Sequence, residues 1–327
     1  MNNKIEKLVD KWALEDNDPI YRFINSKITF LAAELFHDYE PTTTLNFHTR
    51  LEKWILNTNI NNDQKTLFKL LPYIFYLGKK EFNNLQHVAY NEIIARWIID
   101  KDNIKFDDLD LAKTTLNSSI SNCWICPITD SMDINSFYHI NNIPGNIDYR
   151  PQWYHIDKSW NTIAGGLVKY IKTQHLRKLI LIEDFVGSGS QIAETIEHVM
   201  DLKLGIPVLL LVILNCPKGA KRFASLQSKY PELTYKAVIE LSNQCFVFKT
   251  SHKDEPKDFA AARELIKRLY LQTSGNIPEG LKPYTPFGYQ ETGGLIVKYS
   301  NTPDNSIPVL HNKSATWNPL FHRHSRN

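Results

Sequence analysis

Apolar residues recur at helical spacing through the first third of the chain. Ile5, Val9 and Trp12 fall on one face of a predicted helix, and the apolar positions of residues 67–77 repeat with the same period. No alternation typical of strands interrupts this pattern. Aromatic residues at helical spacing indicate core packing rather than a ligand groove. We therefore predict an all-helical N-terminal region over residues 1–115.

Beyond this region, short apolar runs alternate with helical patterns. Strands that alternate with helices argue for crossover connections between parallel strands. We expect an α/β domain over residues 116–327, with a mainly parallel sheet, flanking helices and ligands at the carboxyl ends of the strands. The predicted strands are residues 120–128, 179–182, 206–214, 234–241 and 293–299, and the predicted helices include residues 160–172, 192–200, 219–230 and 257–269.

Residues 179–200 combine a buried strand, two acids and a Gly/Ser turn in front of a helix. Glu183 and Asp184 follow the aliphatic run directly, and the turn begins at Gly187 and ends at Ser190. Backbone N–H groups and small hydroxyls gathered at a helix N-terminus form an anion site. This stretch therefore predicts a phosphate site with two carboxylates beside it.

Three better-known glycine patterns do not fit this turn. A P-loop requires a Lys that is absent after Gly189, and a dinucleotide fingerprint requires Gly at the position of Ile192. The nucleophile elbow of hydrolases requires Gly at the position of Val186. A phosphate site of another kind therefore has to explain the acid pair.

The pattern of four hydrophobic residues, two acids, three residues, Ser and Gly closely resembles the phosphoribosyl-pyrophosphate (PRPP) motif of type I phosphoribosyltransferases. The resemblance implies that Glu183 and Asp184 bind the two ribose hydroxyls and hold Mg²⁺ through water, a role that suits hard oxygen ligands. It also implies a 5′-phosphate loop in front of the positive end of the helix. The residues of that loop are Phe185, Val186, Gly187, Ser188, Gly189, Ser190 and Gln191.

The motif also departs from the family. Gln191 stands where Thr is usual, and Gly187 stands where purine-salvage members often carry Asp, which disfavours purine salvage. The pyrophosphate loop expected after the first core strand is acidic here, at Asp130 and Asp133. We interpret Asp130 as a candidate catalytic carboxylate, either as a general base or as a stabiliser of a cationic sugar.

A second resemblance covers the C-terminal part of the chain. Residues 288–321 look like the closing segment of a divergent phosphoribosyltransferase-like group found in bacterial conflict and anti-phage systems, and Thr129-Asp-Ser fits the same group. The resemblance makes Asn301, Asn305 and Trp317 candidate site residues, although turn formation and packing explain them equally well. It also implies a role in phage defence, with a protein partner in such a system as one alternative.

The segment between residues 147 and 160 is rich in aromatic residues, Pro and His. Trp153, Tyr154 and His155 are candidates for a lid over the sugar or for stacking on a base. Simple packing remains the alternative for all three.

Composition narrows the class of protein. The formal net charge of +3 is too small to indicate nucleic-acid binding through bulk electrostatics, and we expect the basic tail over residues 311–327 to be solvated rather than bound to RNA. Cys123 and Cys126 lie within an apolar strand, which favours core thiols over half of a metal site. With no disulfide framework and no apolar run long enough to span a bilayer, we expect a soluble, cytoplasmic protein.

Together these patterns favour an enzyme that binds PRPP or a nucleotide with Mg²⁺ and reacts at the anomeric carbon of the ribose. The reaction would be phosphoribosyl transfer or, because the pyrophosphate loop lacks basic residues, N-glycosidic cleavage that depletes nucleotides. The alternative is a catalytically silent module that senses PRPP or a nucleotide and signals to a protein partner.

Overall fold

The computed structural model describes residues 4–42, 45–143, 168–275 and 284–324 of the chain. The chain forms two compact units. Unit 1 comprises Met1–Glu81 together with Ser242–Asn327, and unit 2 comprises Phe82–Leu241. In the described part of the chain, no helix is long and apolar enough to cross a membrane.

Unit 2 contains a four-stranded parallel sheet in which the strands lie in chain order. The strands are β2 (Cys123–Pro127), β3 (Lys178–Val186), β4 (Val208–Asn215) and β5 (Leu233–Glu240). The register pairs Pro127 with Ile182 and Val186 with Asn215, so the carboxyl ends of three strands meet at one edge. The α/β class and the parallel sheet predicted from the sequence are confirmed.

The helices of unit 2 precede or connect these strands. They are α5 (Lys79–Val88, whose first residues belong to unit 1), α6 (Ala95–Asp102), α7 (Leu109–Ser121), α8 (Ile134–Ile140), α9 (Ser190–Asp201) and α10 (Pro217–Lys229), with a π-helical stretch at Ala89–Ile94. Residues 168–173 are also helical.

Burial explains why these segments adopt strands and helices. Every residue of β4 is buried, as expected for an inner strand of a parallel sheet with helices on both faces. In α9 the buried residues Ile192, Ile196 and Val199 recur at helical spacing and pack in the same core as β3. The change from a continuously buried strand to helical spacing therefore positions the turn between β3 and α9.

Unit 1 is mainly helical. Its helices are α1 (Lys4–Glu15), α2 (Ile20–Glu34), α3 (Phe47–Ile55), α4 (Asn61–Leu70), α11 (Asp258–Ser274) and α12 (Pro308–His311). Two short strands, β1 (Phe75–Leu77) and β6 (Ile296–Lys298), pair in parallel and complete the unit.

Strand β1 corrects the expectation that no strand occurs in the N-terminal region. The helix predicted over residues 67–77 ends at Leu70, and Pro72 follows in a 3-10 turn. Proline lacks the N–H that a helix interior requires. The next residues satisfy their backbone groups by pairing with β6, more than two hundred positions away, so Phe75 lies opposite Ile296.

The unit boundaries also differ from the predicted division at residue 115. The C-terminal segment returns to the N-terminal helices, and Trp317 and Phe321 share one core with Trp54 and Phe36. Trp54 and Trp317 both donate from Nε1 to the carbonyl of Val309, at 2.6 and 3.0 Å. The N-terminal helices therefore complete their core with residues from the other end of the chain.

The C-terminal segment is packed rather than solvated as far as residue 324, which corrects the expectation of a solvated tail. His311 is 1% exposed and donates from Nε2 to the carbonyl of Ser306 at 3.0 Å. Arg323 donates to the carbonyl of Thr302 at 2.6 Å. Burial, assisted by the positive charges of Arg323 and His322, lowers the pKa of His311 to about 3.

We expect His311 to make the fold sensitive to acid. Between pH 6.5 and about 3 the unfolded chain binds a proton at this residue that the folded chain does not, so stability falls as the pH falls. Relative to His311→Gln, the wild type should lose about 1.4 kcal/mol of unfolding free energy per pH unit below pH 6. Urea unfolding at pH 7, 6 and 5 measures this difference. The exposed His37→Gln serves as the control, and equal pH slopes for wild type and His311→Gln would contradict the prediction.

Candidate functional site

The two predicted acids lie at the carboxyl end of the second strand of the sheet. Glu183 and Asp184 belong to β3 and are only 2% and 1% exposed. Successive side chains of a strand point to opposite faces. Both carboxylates nevertheless reach Ser131, because Ser131 lies in the loop that follows β2 and crosses the end of β3.

Two hydroxyl groups and one backbone amide hold these acids. Thr129 donates to Glu183 from its amide at 3.0 Å and from its hydroxyl at 2.6 Å. The Ser131 hydroxyl lies 2.8 Å from Glu183 Oε1 and 2.6 Å from Asp184 Oδ1. The two hydroxyl oxygens are themselves 2.8 Å apart. The loop after β2 therefore presents a pair of neighbouring hydroxyls to the acid pair.

The electrostatics of the pair follow from its burial. Removal from water, and then the negative charge of Asp184, raise the pKa of the Glu183 carboxyl well above its ordinary value. Hydrogen bonds from Thr129 and Ser131 act in the opposite direction but do not cancel this effect. The pair therefore binds a proton more readily than two exposed carboxylates would.

The Gly/Ser turn after β3 has the geometry of an anion loop. Gly189 has a left-handed backbone with φ of 71° and lies directly before α9, which begins at Ser190. The hydroxyls of Ser188 and Ser190 lie 3.0 Å apart, and Ser188 is only 5% exposed. Backbone N–H groups at the start of α9 and two serine hydroxyls thus lie beside the acid pair, as phosphate binding requires.

The structure adds Gly219, which the sequence reading did not single out. It lies in the first turn of α10, and a Cβ atom there would come 2.4 Å from Asn215 Oδ1 and 3.1 Å from the Gly187 carbonyl oxygen. A Cβ on Gly189 would likewise come 3.2 Å from Gly219 Cα. α10 therefore supports the phosphate loop by backbone contact. A lone glycine in a helical pattern, opposite a Gly/Ser turn, is the signal that could have indicated it.

Other predicted residues take varied positions. Asp130 lies between the two hydroxyl residues but is exposed, and its catalytic role stays a prediction. Asp133 caps α8 by accepting from the amide of Ser136 at 3.0 Å, which explains that acid structurally. Phe185 is half-buried, Val186 and Gly187 are buried, and Gln191 is exposed at the start of α9. Trp153, Tyr154 and His155 lie outside the described residues.

The C-terminal candidates lie in unit 1, where their hydrogen bonds serve the fold. Asn305 donates to Thr292 Oγ1 at 3.0 Å, and Asn301 donates to the carbonyl of His324 at 2.9 Å. Trp317 is 1% exposed in the core of that unit. These contacts agree with the alternative of turn formation and packing.

The thiols of Cys123 and Cys126 are buried within β2, as expected for core residues. Among the described residues, no group of three or more His, Cys, Asp or Glu is arranged to hold a metal ion. Within the part of the chain that the structure describes, Glu183 and Asp184 alone do not complete a metal site.

A parallel sheet that ends in a buried acid pair, next to a glycine-serine loop, defines a phosphoribosyltransferase-like α/β protein. The family model described as PRTase-CE matches residues 51–323, and the chain belongs to this phosphoribosyltransferase-like family. The match begins inside the N-terminal helical region, well before residue 116. No curated protein and no solved structure matches the chain.

We expect Gly219→Ala to disturb the phosphate loop. The added methyl group would overlap Asn215, Val186 and the Gly187 carbonyl, which should cost roughly 1–3 kcal/mol and displace the loop. Urea unfolding and anion binding measure the two effects. The control is Gly205→Ala, where φ is 69° but an added Cβ meets no atom within 4 Å, so the change should cost only roughly 1 kcal/mol of backbone strain. Equal behaviour of the two variants would contradict the assigned contact.

Proposed function

We propose that the chain binds the ribose 5-phosphate part of PRPP or of a nucleotide and reacts at the anomeric carbon. One observation carries this proposal. A buried acid pair that needs hydroxyl donors lies at the end of β3. The loop that follows it, before α9, offers donors to phosphate. A sugar phosphate satisfies both the acid pair, through its hydroxyls, and the loop, through its phosphate. Membership in the PRTase-CE family supports this assignment.

The donor set suits Mg²⁺ as the accompanying cation. Glu183 and Asp184 offer hard carboxylate oxygens, and Mg²⁺ is commonly bound by one or two carboxylates with water and substrate phosphates as further ligands. When bound, the ion would neutralise charge on the phosphate groups. Because both carboxylates are buried and bonded to the loop after β2, that loop has to release them before they can hold a hydrated ion.

Thr129 and Ser131 have a direct bearing on ribose recognition. Their hydroxyls lie 2.8 Å apart and donate to the same carboxylates that the ribose hydroxyls would use. They therefore stand in for a vicinal diol. Binding of a ribose in the proposed mode exchanges these internal bonds for bonds to the ligand.

The site would promote chemistry at the anomeric carbon by holding the sugar rigidly between the acid pair and the phosphate loop. Departure of the base or of pyrophosphate leaves positive charge on the sugar, and the negative charge of the acid pair favours such a state. The phosphate loop would hold the other end of the sugar still while the bond breaks. Asp130, which is exposed in the adjoining loop, is the candidate to accept a proton from an attacking water or acceptor.

Product analysis tests the proposal. Purified protein is incubated with ribonucleotides, and separately with PRPP plus bases, in the presence of Mg²⁺, and free base, ribose phosphate and pyrophosphate are measured. Asp184→Asn keeps the size of the side chain but removes its charge, so turnover should fall on the order of a hundredfold. The exposed Asp254→Asn is a matched control and should behave as wild type.

The outcomes separate enzyme from sensor. Products from the wild type that disappear with Asp184→Asn support the enzyme. Calorimetric binding of PRPP or a nucleotide without turnover supports the sensor, for which the loop after β2 would be the element that moves. If neither PRPP nor a nucleotide binds, and Ser188→Ala is indistinguishable from wild type, both the enzyme and the sensor are ruled out. A nucleotide-depleting reaction would suit the phage-defence role that the C-terminal resemblance implies.

Ser131→Ala should have opposite effects on binding and on stability. Loss of the hydroxyl leaves two buried carboxylates with one donor fewer, which should destabilise the free protein by about 1–3 kcal/mol. The same loss removes a competitor of the ribose, so ribose phosphate should bind roughly threefold to tenfold more tightly.

Calorimetry and urea unfolding measure the two quantities. Ser136→Ala, which keeps the backbone N–H that Asp133 caps, is the control and should change neither. Weaker binding by Ser131→Ala would show that Ser131 contacts the ligand instead of standing in for it.

A further inference from the structure

A short segment of acidic and apolar residues lies at the surface of unit 2, where α7 begins. It comprises residues 106–111, and we call it the acidic tip. Its large apolar side chains, Phe106, Leu109 and Leu111, are 57%, 71% and 63% exposed. Single exposed apolar residues are normal, but three within six residues mark a contact surface.

The helix itself accounts for only part of the charge of the acidic tip. Asp108 caps α7 by accepting from the amides of Asp110 and Leu111, at 3.0 Å each. Asp107 and Asp110 are exposed, and neither forms an ion pair with the residues that the structure describes. The acidic tip therefore keeps two uncompensated negative charges beside its exposed apolar side chains.

A surface groove between α9 and α10 has the opposite charge. Its volume is about 420 Å³, and Ala193 and Leu226 contribute apolar lining. The two helices join β3 to β4 and β4 to β5, whereas the acidic tip precedes the edge strand β2. The acidic tip and the groove are therefore separate surfaces on separate elements of unit 2.

Two basic side chains give this groove its unpaired charge. Lys221 and Arg222 line it, are exposed and form no ion pair with the described part of the chain. Lys218 also lines the groove but already has an interaction of its own. The acid in the lining, Glu197, is paired with Lys229 at 3.1 Å. The groove therefore suits a ligand that combines apolar groups with two negative charges.

We propose that the acidic tip of one copy of this chain binds in the groove of a second copy. Apolar side chains of the acidic tip would contact the apolar lining, and Asp107 and Asp110 would pair with Lys221 and Arg222. A volume of about 420 Å³ accepts a few side chains but not a whole helix face, which matches the extent of the acidic tip. This association does not depend on the function proposed above.

The contact joins two different surfaces, so it is heterologous. Each pair of copies keeps one free acidic tip and one free groove, and further copies can add to form rings or chains. A contact of a few side chains buries less than the roughly 1,200 Å² of a stable interface. We therefore expect weak association, with a dissociation constant on the order of 10–100 μM. The net charge of +3 opposes it only slightly.

Analytical ultracentrifugation of the full chain over about 1–200 μM tests the proposal. The average mass of the wild type should rise with concentration above the 37.9 kDa of one chain. Phe106→Ser should weaken association on the order of tenfold, because it removes the largest apolar side chain of the acidic tip. Added salt should weaken the association of the wild type, because exposed charges are screened.

Charge reversal tests the pairing of the two surfaces. Asp107→Lys/Asp110→Lys and Lys221→Glu/Arg222→Glu should each remain monomeric alone, because like charges would then meet. An equal mixture of the two variants should associate again, since a positive tip meets a negative groove. Lys169→Glu/Lys172→Glu changes two exposed lysines in the helical stretch before β3 and should associate as wild type does. A wild type that stays monomeric at about 200 μM would overturn the proposal. Association of either reversed variant alone, or a mixture that stays monomeric, would also overturn it. Each of these outcomes leaves the proposed function intact.

Discussion

The structure of unit 2 depends on the burial of two carboxylates in the second strand of its sheet. Removing charged groups from water is costly unless they are bonded, and unbonded acids at the ends of β3 would weaken the sheet they belong to. Thr129 and Ser131 supply donors from the loop that follows the neighbouring strand, β2. The acids therefore fix the path of the loop after β2, and the loop in turn holds the two carboxylates in place.

The same close packing defines the phosphate loop. Gly189 turns the chain from β3 into α9 with a positive φ, and Gly219 lets α10 approach until the two backbones touch. Neither contact tolerates a side chain without displacement. The acid pair and the glycine-serine turn before α9 consequently occupy one edge of one sheet. Proximity of complementary groups, more than any single residue, defines the site.

Local features made β3, α9 and the acid pair predictable from the sequence. The aliphatic run, the change to helical spacing and the glycine turn all lie within residues 179–200, and the corresponding elements are found there. Pairing of β1 with β6 was not predictable in this way, because its residues are separated by more than two hundred positions and each strand has three residues. Thr129 and Ser131 were noted only as part of a resemblance, and their contact with the acid pair was not predicted, because small hydroxyl residues are common in loops. Gly219 was not predicted as important, because its role lies in a contact with the turn before α9, which is distant in sequence.

The free site is internally satisfied, and this sets a condition on any ligand. A ribose alone would exchange two hydroxyl contacts for two equivalent ones, so it would gain little over the closed arrangement of Thr129 and Ser131. In the proposed binding mode, a phosphate attached to that ribose would add interactions with the N-terminus of α9. Binding of the phosphate would thereby favour release of the acid pair from the loop after β2. By linkage, a change that holds this loop away from the acids should strengthen phosphate binding by the same factor by which phosphate favours the release. Selectivity for phosphorylated over free ribose would then arise from the cost of opening the acid pair, because only the phosphorylated sugar brings enough new contacts to offset it.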